Sequence, residues 1–98
     1  MKTYIINIEH GTQIRIDCED INMKIHDKLI SFLDNCDIVE LIKTVNTFET
    51  PISDYKYKGI PFSVLFDEML DETFVFVGKE YDYTIIESLL QKCNITNN

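Results

Sequence analysis

Apolar residues recur at every second position on both sides of a short polar stretch near the start of the chain. The two runs consist of Tyr4, Ile6 and Ile8 and of Ile14, Ile16 and Cys18. A period of two is typical of a half-buried strand. Gly11 lies between the runs and can adopt the positive φ that a tight turn requires. The pattern predicts a β-hairpin at the N-terminus.

Further along, apolar residues are spaced by three and four positions, which places them on one face of a helix. One stripe predicts a helix over residues 22–35, with Asp20 or Asn22 as its N-cap; its members are Ile25, Leu29, Phe32, Leu33 and Cys36. A second stripe follows Pro61, which favours the first turn of a helix, and consists of Phe62, Leu65, Phe66, Met69 and Leu70.

The last helix is predicted at the C-terminal end of the chain. Its apolar face consists of Ile85, Ile86, Leu89, Leu90 and Cys93. Thr84 and Glu87 have the spacing of a capping box, in which each side chain satisfies a backbone N–H of the other residue.

The remaining apolar stretches indicate strands. Residues 37–48 fit both a short helix and a buried strand, and the sequence leaves both possibilities open. Residues 73–77 form a continuous β-prone run, typical of a strand covered on both faces. The expected order is β-β-α-(β or α)-α-β-α. We therefore predict one α+β domain over residues 1–95, with a small sheet packed by about three helices, and a frayed tail at residues 96–98.

Charge narrows the range of functions. The chain has 98 residues, with 17 Asp and Glu against 9 Lys and Arg, and a formal net charge of −8. Binding to nucleic acid or to an anionic membrane requires clustered Lys and Arg, so the composition argues against both. Between Asp67 and Glu87 there are seven acids and one lysine. Such a segment is typical of a solvated surface and also of a docking face for a basic partner.

No set of residues has the spacing of a catalytic, cofactor or metal site, so we predict a protein that is not an enzyme. Cys18, Cys36 and Cys93 include no CxxC pair. His10 is expected in a surface turn, and His26 at a solvated or partly covered position of the first helix. No apolar run approaches the ~18 residues of a membrane span, and the first residues lack the apolar core of a signal peptide. We therefore expect a reducing, cytoplasmic location.

The region 29–95 resembles a BTB/POZ domain. The residues that match the family pattern are Leu29, Phe32, Leu33, Cys36, Asp37, Ile38, Phe48, Tyr55, Phe62, Leu65, Phe66, Glu72, Val75, Val77, Leu89 and Leu90. Pro51 stands where the family has a histidine, and Gly59 where it has a serine. The resemblance implies a helix at Phe62, Leu65 and Phe66, and a module for self-association or adaptor binding, including a ubiquitin-ligase adaptor role.

A second resemblance competes for the same residues. Gly59, Ile60 and Pro61, followed by an apolar run, a further strand, Gly78 and a last helix, look like the second half of a thioredoxin fold. This alternative implies a strand at residues 62–66, a cis bond before Pro61 and, without the cysteine motif, no redox activity.

The function we predict is protein–protein interaction, with possible homodimers and a partner that carries a basic surface. The expected binding residues are Tyr55, Tyr57, Phe62, Phe66, Asp67, Glu68, Asp71, Glu72, Glu80 and Asp82. The alternative is a small acidic inhibitor, of the immunity or phage anti-defence type, that blocks the basic nucleic-acid-binding surface of an enzyme.

Overall fold

A computed structural model describes residues 2–17, 23–46, 51–70 and 72–93 of the chain. The elements in chain order are β1 (Thr3–Ile8), β2 (Gly11–Ile16), α1 (Met23–Asp34), β3 (Val39–Asn46), β4 (Pro51–Tyr57), β5 (Ile60–Asp67), β6 (Glu72–Gly78) and α2 (Tyr83–Leu90).

The six strands form one antiparallel sheet in the order β1-β2-β6-β5-β4-β3. Four strands from β3 to β6 follow one another as a meander, and the N-terminal hairpin joins this meander through β2 and β6. Helix α1 carries the chain from β2 to the far edge of the sheet, where β3 begins. The edge strands are therefore β1 and β3.

Both helices pack on the same face of the sheet. Alternate residues of the central strands point toward them and are buried, as in Ile14, Ile16, Ile60, Phe62, Val64, Phe66, Val75 and Val77. The helices contribute Ile25, Leu29, Leu33, Ile86, Leu89 and Leu90 to the same hydrophobic cluster. The core is thus a two-layer arrangement in which each strand presents one face to the helices.

The predicted fold class is wrong in its balance of strands and helices, since the described residues contain six strands and two helices, not a small sheet with about three helices. The error lies at residues 62–70, where the helical stripe predicted a helix, and at Pro51–Tyr57, which is strand β4 and has no strand in the predicted order. The segment at 62–70 is β5 followed by a turn, with Met69 95% and Leu70 60% exposed. Ile60, Phe62, Val64 and Phe66 alternate with less buried residues, and hydrogen bonding to β4 and β6 on both sides fixes the strand.

Several local predictions are confirmed. The N-terminal hairpin is β1 and β2, the first helix is α1, and the run at 73–77 is β6. The ambiguous segment forms strand β3 over Val39–Asn46, which settles the alternative that the sequence left open. The predicted N-caps Asp20 and Asn22, the residues Cys18 and Phe48, and the tail at 96–98 lie outside the described residues.

Three details differ from the sequence predictions. Gly11 does not have a positive φ; a Cβ atom at this position would lie 2.2 Å from the carbonyl oxygen of Val77, so the neighbouring strand requires glycine. Asp82, rather than a box of Thr84 and Glu87, caps α2. Among the described residues no peptide bond is cis, including the bond before Pro61, although residues 62–66 are a strand as the thioredoxin-like alternative implied.

The β4–β5 connection is a two-residue turn of Lys58 and Gly59. Both residues have positive φ, 51° and 79°. This combination is typical of a type I′ turn, whose twist matches that of the strands it joins. The tight turn brings Tyr57 opposite Ile60 and sets the register of the two strands.

Candidate protein-binding surface

The sheet face opposite the helices is covered by no described helix, and we call it the open face. Its residues on β1, namely Tyr4, Ile6 and Ile8, are between 38% and 40% exposed. On β6, Phe74 and Phe76 are half-buried although no helix lies above them. An antiparallel sheet that packs on one side usually carries polar residues on the other. The apolar side chains on the open face depart from this pattern.

The register places open-face residues of all six strands in one row. The row runs through Ile6, Gln13, Phe76, Ser63, Asp54 and Lys43. It is apolar on the side of β1 and charged on the side of β3. Neighbouring side chains in such a row lie ≈ 4.5–5.5 Å apart at Cβ, so the row forms a continuous surface.

A pocket of about 370 Å³ lies on the open face near the connection between β6 and α2. Apolar side chains of Ile42, Pro61, Phe76 and Tyr81 line it. Asp54 and Glu80 also line it, and the Asp54 carboxylate accepts a hydrogen bond from the Ser63 hydroxyl at 2.5 Å. None of the lining residues is Lys or Arg, and among the described residues neither acid forms an ion pair. The pocket therefore combines aromatic walls with two carboxylates that form no close ion pair within the described residues, and Lys43 lies opposite Asp54 on β3.

A cluster of charged and polar side chains around Arg15 lies at the opposite end of the open face from the pocket. The Arg15 side chain is 8% exposed and lies 3.4 Å from Asp67 and 3.5 Å from Glu72, measured between guanidinium nitrogen and carboxylate oxygen. The guanidinium also donates to the side-chain oxygen of Gln13 at 3.0 Å. Tyr4 donates its hydroxyl hydrogen to Glu72, and this bond raises the pKa of Tyr4. The cluster ties β1, β2, β5 and β6 together.

The β5–β6 turn projects beyond this cluster. The Asp67 carboxylate accepts backbone N–H bonds from Met69 at 3.1 Å and from Leu70 at 3.3 Å, so the turn is held in one conformation. Met69 is 95% exposed, and Glu68 beside it is exposed as well. The turn thus presents the apolar side chain of Met69 next to the carboxylate of Glu68.

The four aromatic residues expected on the binding surface lie in the core. Tyr55, Tyr57, Phe62 and Phe66 are between 1% and 7% exposed. They all project to the helix-covered face, because even positions of β5 and odd positions of β4 share that face. Only Tyr55 and Phe62 also line the pocket. The structure therefore places these four side chains in the core rather than on an exposed patch.

The acids expected to form one docking face divide between two ends of β6. Asp67, Glu68 and Glu72 lie at its start, and Glu80 and Asp82 follow its end. A strand of this length separates the groups by roughly 20 Å. Asp67 and Glu72 are engaged with Arg15, and Asp82 caps α2. Asp71 lies outside the described residues.

Sequence reasoning missed the residues that form the open face, above all Tyr4, Phe76 and Arg15. A signal was present in β1, where Ile5 is apolar as well as Tyr4 and Ile6, so both faces of the strand carry apolar side chains. The missing information was tertiary: β2 and β6 pair residues 59 to 67 positions apart, and the sequence does not show which face of the sheet the helices cover.

Two titratable side chains are buried away from the open face. His26 is 2% exposed, contrary to the solvated or partly covered position expected, and its ring meets Phe66 edge-on at a centroid distance of 6.0 Å. Burial lowers the pKa of His26 below its usual value. Burial raises the pKa of the Cys93 thiol, and both Cys93 and Cys36 are free thiols.

The described part of the chain contains no group of three or more His, Cys, Asp or Glu side chains placed to hold a metal ion. No helix within it has the length and apolar character needed to cross a membrane. Comparison of the chain with known protein families, with curated proteins and with solved structures gives no match.

Proposed function

We propose that the protein acts by binding another protein through the open face of its sheet. The observation that carries this proposal is the group of exposed apolar side chains on β1 and half-buried ones on β6, on a face that no described helix covers. Isolated exposed apolar residues are normal, but a contiguous group is typical of an interaction site. Tyr4, Ile6 and Ile8 are adjacent on one strand, and Phe74 and Phe76 lie two strands away on the same face.

The pocket indicates the chemistry of the partner. A lysine or arginine side chain has an apolar stem and a cationic end, and it can bury the stem while the charge stays near a carboxylate. Pro61 and Phe76 suit the stem, and Asp54 and Glu80 suit the charge. Arginine fits best because its planar guanidinium can stack on Phe76 or Tyr81 and donate several hydrogen bonds at once. The net charge of −8 attracts a basic partner to this surface.

A defined probe tests this proposal. Amide NMR spectra are recorded while a short peptide of alternating glycine and arginine is added, and the same peptide with citrulline in place of arginine serves as the comparison. We expect shifts concentrated at Ser63, Phe76 and Gly78 with arginine and much smaller ones with citrulline. Equal shifts with both peptides, or shifts that map away from the pocket, would contradict the proposal.

Matched variants separate the pocket from general charge attraction. Asp54→Asn/Glu80→Gln removes two negative charges from the pocket, and Glu9→Gln/Glu68→Gln removes two from exposed turns elsewhere. We expect the first variant to lose most of the arginine-dependent shifts and the second to retain them. If both variants weaken binding equally, net charge alone accounts for the attraction.

A small acidic inhibitor of an enzyme with a basic surface is the second candidate function. The exposed β5–β6 turn supports it, because Glu68 and Met69 project together beyond the sheet. Both kinds of binding use charge and weaken with salt, so the site of binding distinguishes them. Glu68→Lys should weaken binding of a basic partner through the turn and leave the arginine-dependent shifts at the pocket unchanged, and Asp54→Asn/Glu80→Gln should do the reverse. A cytoplasmic location is proposed for either function, supported by the free thiols of Cys36 and Cys93.

A further inference from the structure

Strand β1 is an edge strand with a row of outward-facing backbone groups. The N–H of Asp17 donates to the carbonyl oxygen of Lys2 at 2.8 Å, and the register then pairs Tyr4 with Arg15 and Ile6 with Gln13. Even-numbered residues of β1 therefore exchange hydrogen bonds with β2, and the backbone groups of Thr3, Ile5 and Asn7 point away from the sheet. Among the described strands, β1 pairs with β2 alone, so no strand pairs with these outward groups.

The sequence of β1 lacks the features by which proteins usually protect a sheet edge. The strand reads TYIINI and contains no charged residue, no proline and no glycine. The opposite edge, β3, is different: it carries Glu40 and Lys43, and its register shifts between Leu41 and Lys43 as in a bulge. Charges and bulges hinder pairing of an edge with a further strand. In a chain of net charge −8, an uncharged edge of six residues is a distinctive feature.

The strand is complementary to itself in one antiparallel register. When Ile5 lies opposite Ile5 of a second copy, Thr3 lies opposite Asn7 of that copy, and every outward N–H and C=O of the three residues finds a partner. On the open face the same register places Tyr4 opposite Ile6 of the second copy, twice by symmetry. Aromatic and β-branched residues are favourable cross-strand partners. No two like charges meet within the strands.

We propose that two copies of this chain associate through their β1 strands, about a two-fold axis at Ile5, to form one continuous sheet. The association is isologous, since the same residues contribute on both sides. It joins the open faces of both copies into one surface, with Tyr4 of each copy beside Ile6 of the other at its centre. The proposed dimer is independent of the arginine pocket. The pocket is lined by residues of β3 to β6 and of the β6–α2 connection, and none of them lies on β1.

Charge variants at the two open-face positions test both the contact and its register. Tyr4→Lys/Ile6→Lys places a lysine opposite a lysine at both cross-strand pairs, and Tyr4→Lys/Ile6→Glu places a lysine opposite a glutamate. Both variants lose the Tyr4 hydroxyl and two apolar side chains, so they are matched. Sedimentation velocity over a range of concentrations measures the dissociation constant, and far-UV circular dichroism confirms that each variant is folded.

We expect a concentration-dependent dimer for the natural sequence. The double-lysine variant should dissociate roughly tenfold or more readily, and the lysine–glutamate variant should recover most of the loss. A natural sequence that stays monomeric at millimolar concentration would overturn the proposal. Equal loss in the two variants would overturn the register. In a register centred on Ile6, residue 6 of one copy lies opposite residue 6 of the other, so both variants place like charges opposite each other.

A backbone variant gives a second, independent measurement. Asn7→Pro removes one outward N–H while the hydrogen bonds between β1 and β2, which use the even residues, stay in place. Asn7 is exposed, and its side-chain oxygen accepts a hydrogen bond from the Thr12 hydroxyl at 3.4 Å. Asn7→Pro loses this bond, and Asn7→Thr replaces the same amide, so the comparison of the two variants controls for it. We expect weaker dimerisation from Asn7→Pro and none of this loss from Asn7→Thr. An unchanged dissociation constant in Asn7→Pro would contradict edge pairing.

Discussion

The guanidinium carbon of Arg15 lies 4.5 Å from the centroid of the Phe74 ring on the adjacent strand. This position is favourable for a cation–π interaction, and it lets the ring cover the cation on a face that no described helix covers. Two carboxylates complete the surroundings of Arg15, and the side chain is buried without help from the helices. The contact explains how a charged side chain is buried between Tyr4 on β1 and Phe74 on β6.

The first prediction concerns the removal of this charge. Arg15→Ala should lower the free energy of unfolding by about 2 kcal/mol, because it leaves Asp67 and Glu72 close together without a cation. The free energy of unfolding of Arg15→Lys should lie between those of the natural sequence and Arg15→Ala. An ammonium group keeps the charge but loses the planar stacking and the forked hydrogen bonds. Urea unfolding of the three proteins measures the differences.

A triple variant controls for the charge balance at this cluster. Arg15→Met/Asp67→Asn/Glu72→Gln removes all three charges and retains comparable side-chain volumes. We expect it to be more stable than Arg15→Ala, because no charge is then left without a partner. A triple variant that is as unstable as Arg15→Ala would show that packing on Phe74, rather than the ion pairs, is the main contribution.

The second prediction concerns the close approach of β2 to β6. A Cβ atom on Gly11 would lie 2.2 Å from the Val77 carbonyl oxygen and 2.9 Å from carbon atoms of the Phe76 ring. Since one of these atoms belongs to the backbone, the strands must separate, and Gly11→Ala should cost about 2–3 kcal/mol of stability. Thermal unfolding monitored by circular dichroism measures the loss.

Gly78→Ala is the matched control for Gly11→Ala. Gly78 lies directly opposite Gly11, but a Cβ atom there meets only the carboxylate end of Glu80, at 3.1 Å. A flexible side chain can move aside, so we expect a change of less than about 1 kcal/mol. Comparable losses at both positions would argue against steric exclusion by the Val77 carbonyl.

The sequence predicted the local elements whose pattern has only one explanation. In α1, Leu29, Phe32 and Leu33 have spacings of three and four, which fit a helix face and break a period of two, and the helix lies within one residue of the predicted bounds. In β5, Leu65 lies between Val64 and Phe66 and completes a helical spacing as well as an apolar run. Pairing with β4 and β6 decided between the two, and pairing is a property of the folded chain rather than of the local sequence.

The candidate surface was less predictable than the fold. Phe76 follows the same apolar run as Val75 and Val77, and such a run is typical of a strand covered on both faces. The run gives no sign that the helices cover Val75 and Val77 but not Phe76. The acids of the β5–β6 turn were recognised as a charged group, but their separation from Glu80 depends on β6 being one extended strand between them.

The third prediction concerns the start of α2. The Asp82 carboxylate accepts hydrogen bonds from the backbone N–H of Thr84 at 3.0 Å and from its hydroxyl at 2.5 Å. Asp82→Ala should lower stability, and Asp82→Asn should retain most of it because the amide oxygen still accepts the N–H bond. Glu87→Gln should have a smaller effect than Asp82→Ala. The hydrogen bonds from Thr84 lower the pKa of Asp82, so the contribution of its charge is present above the usual pKa of 3.8 and is lost below it.

The fourth prediction concerns the pH dependence of stability. Burial lowers the pKa of His26 below its usual value of 6.5, and the nearby charge of Asp27 opposes this only in part. As pH falls through 6.5, the unfolded chain binds a proton at His26 while the folded chain resists it, so the free energy of unfolding decreases. The contribution of the neutral ring is complete above 6.5 and is lost toward the lower pKa of the folded protein.

Urea unfolding at pH 7.5 and at pH 5.5 measures this effect. The difference in stability between the two conditions should shrink in His26→Leu, which cannot take up a proton and keeps an apolar contact with Phe66. His10→Gln is the matched control, because His10 lies in an exposed turn, and it should retain the pH dependence of the natural sequence. If His26→Leu has the same pH dependence as the natural sequence, other titrating groups cause the acid sensitivity and the burial of His26 is not responsible.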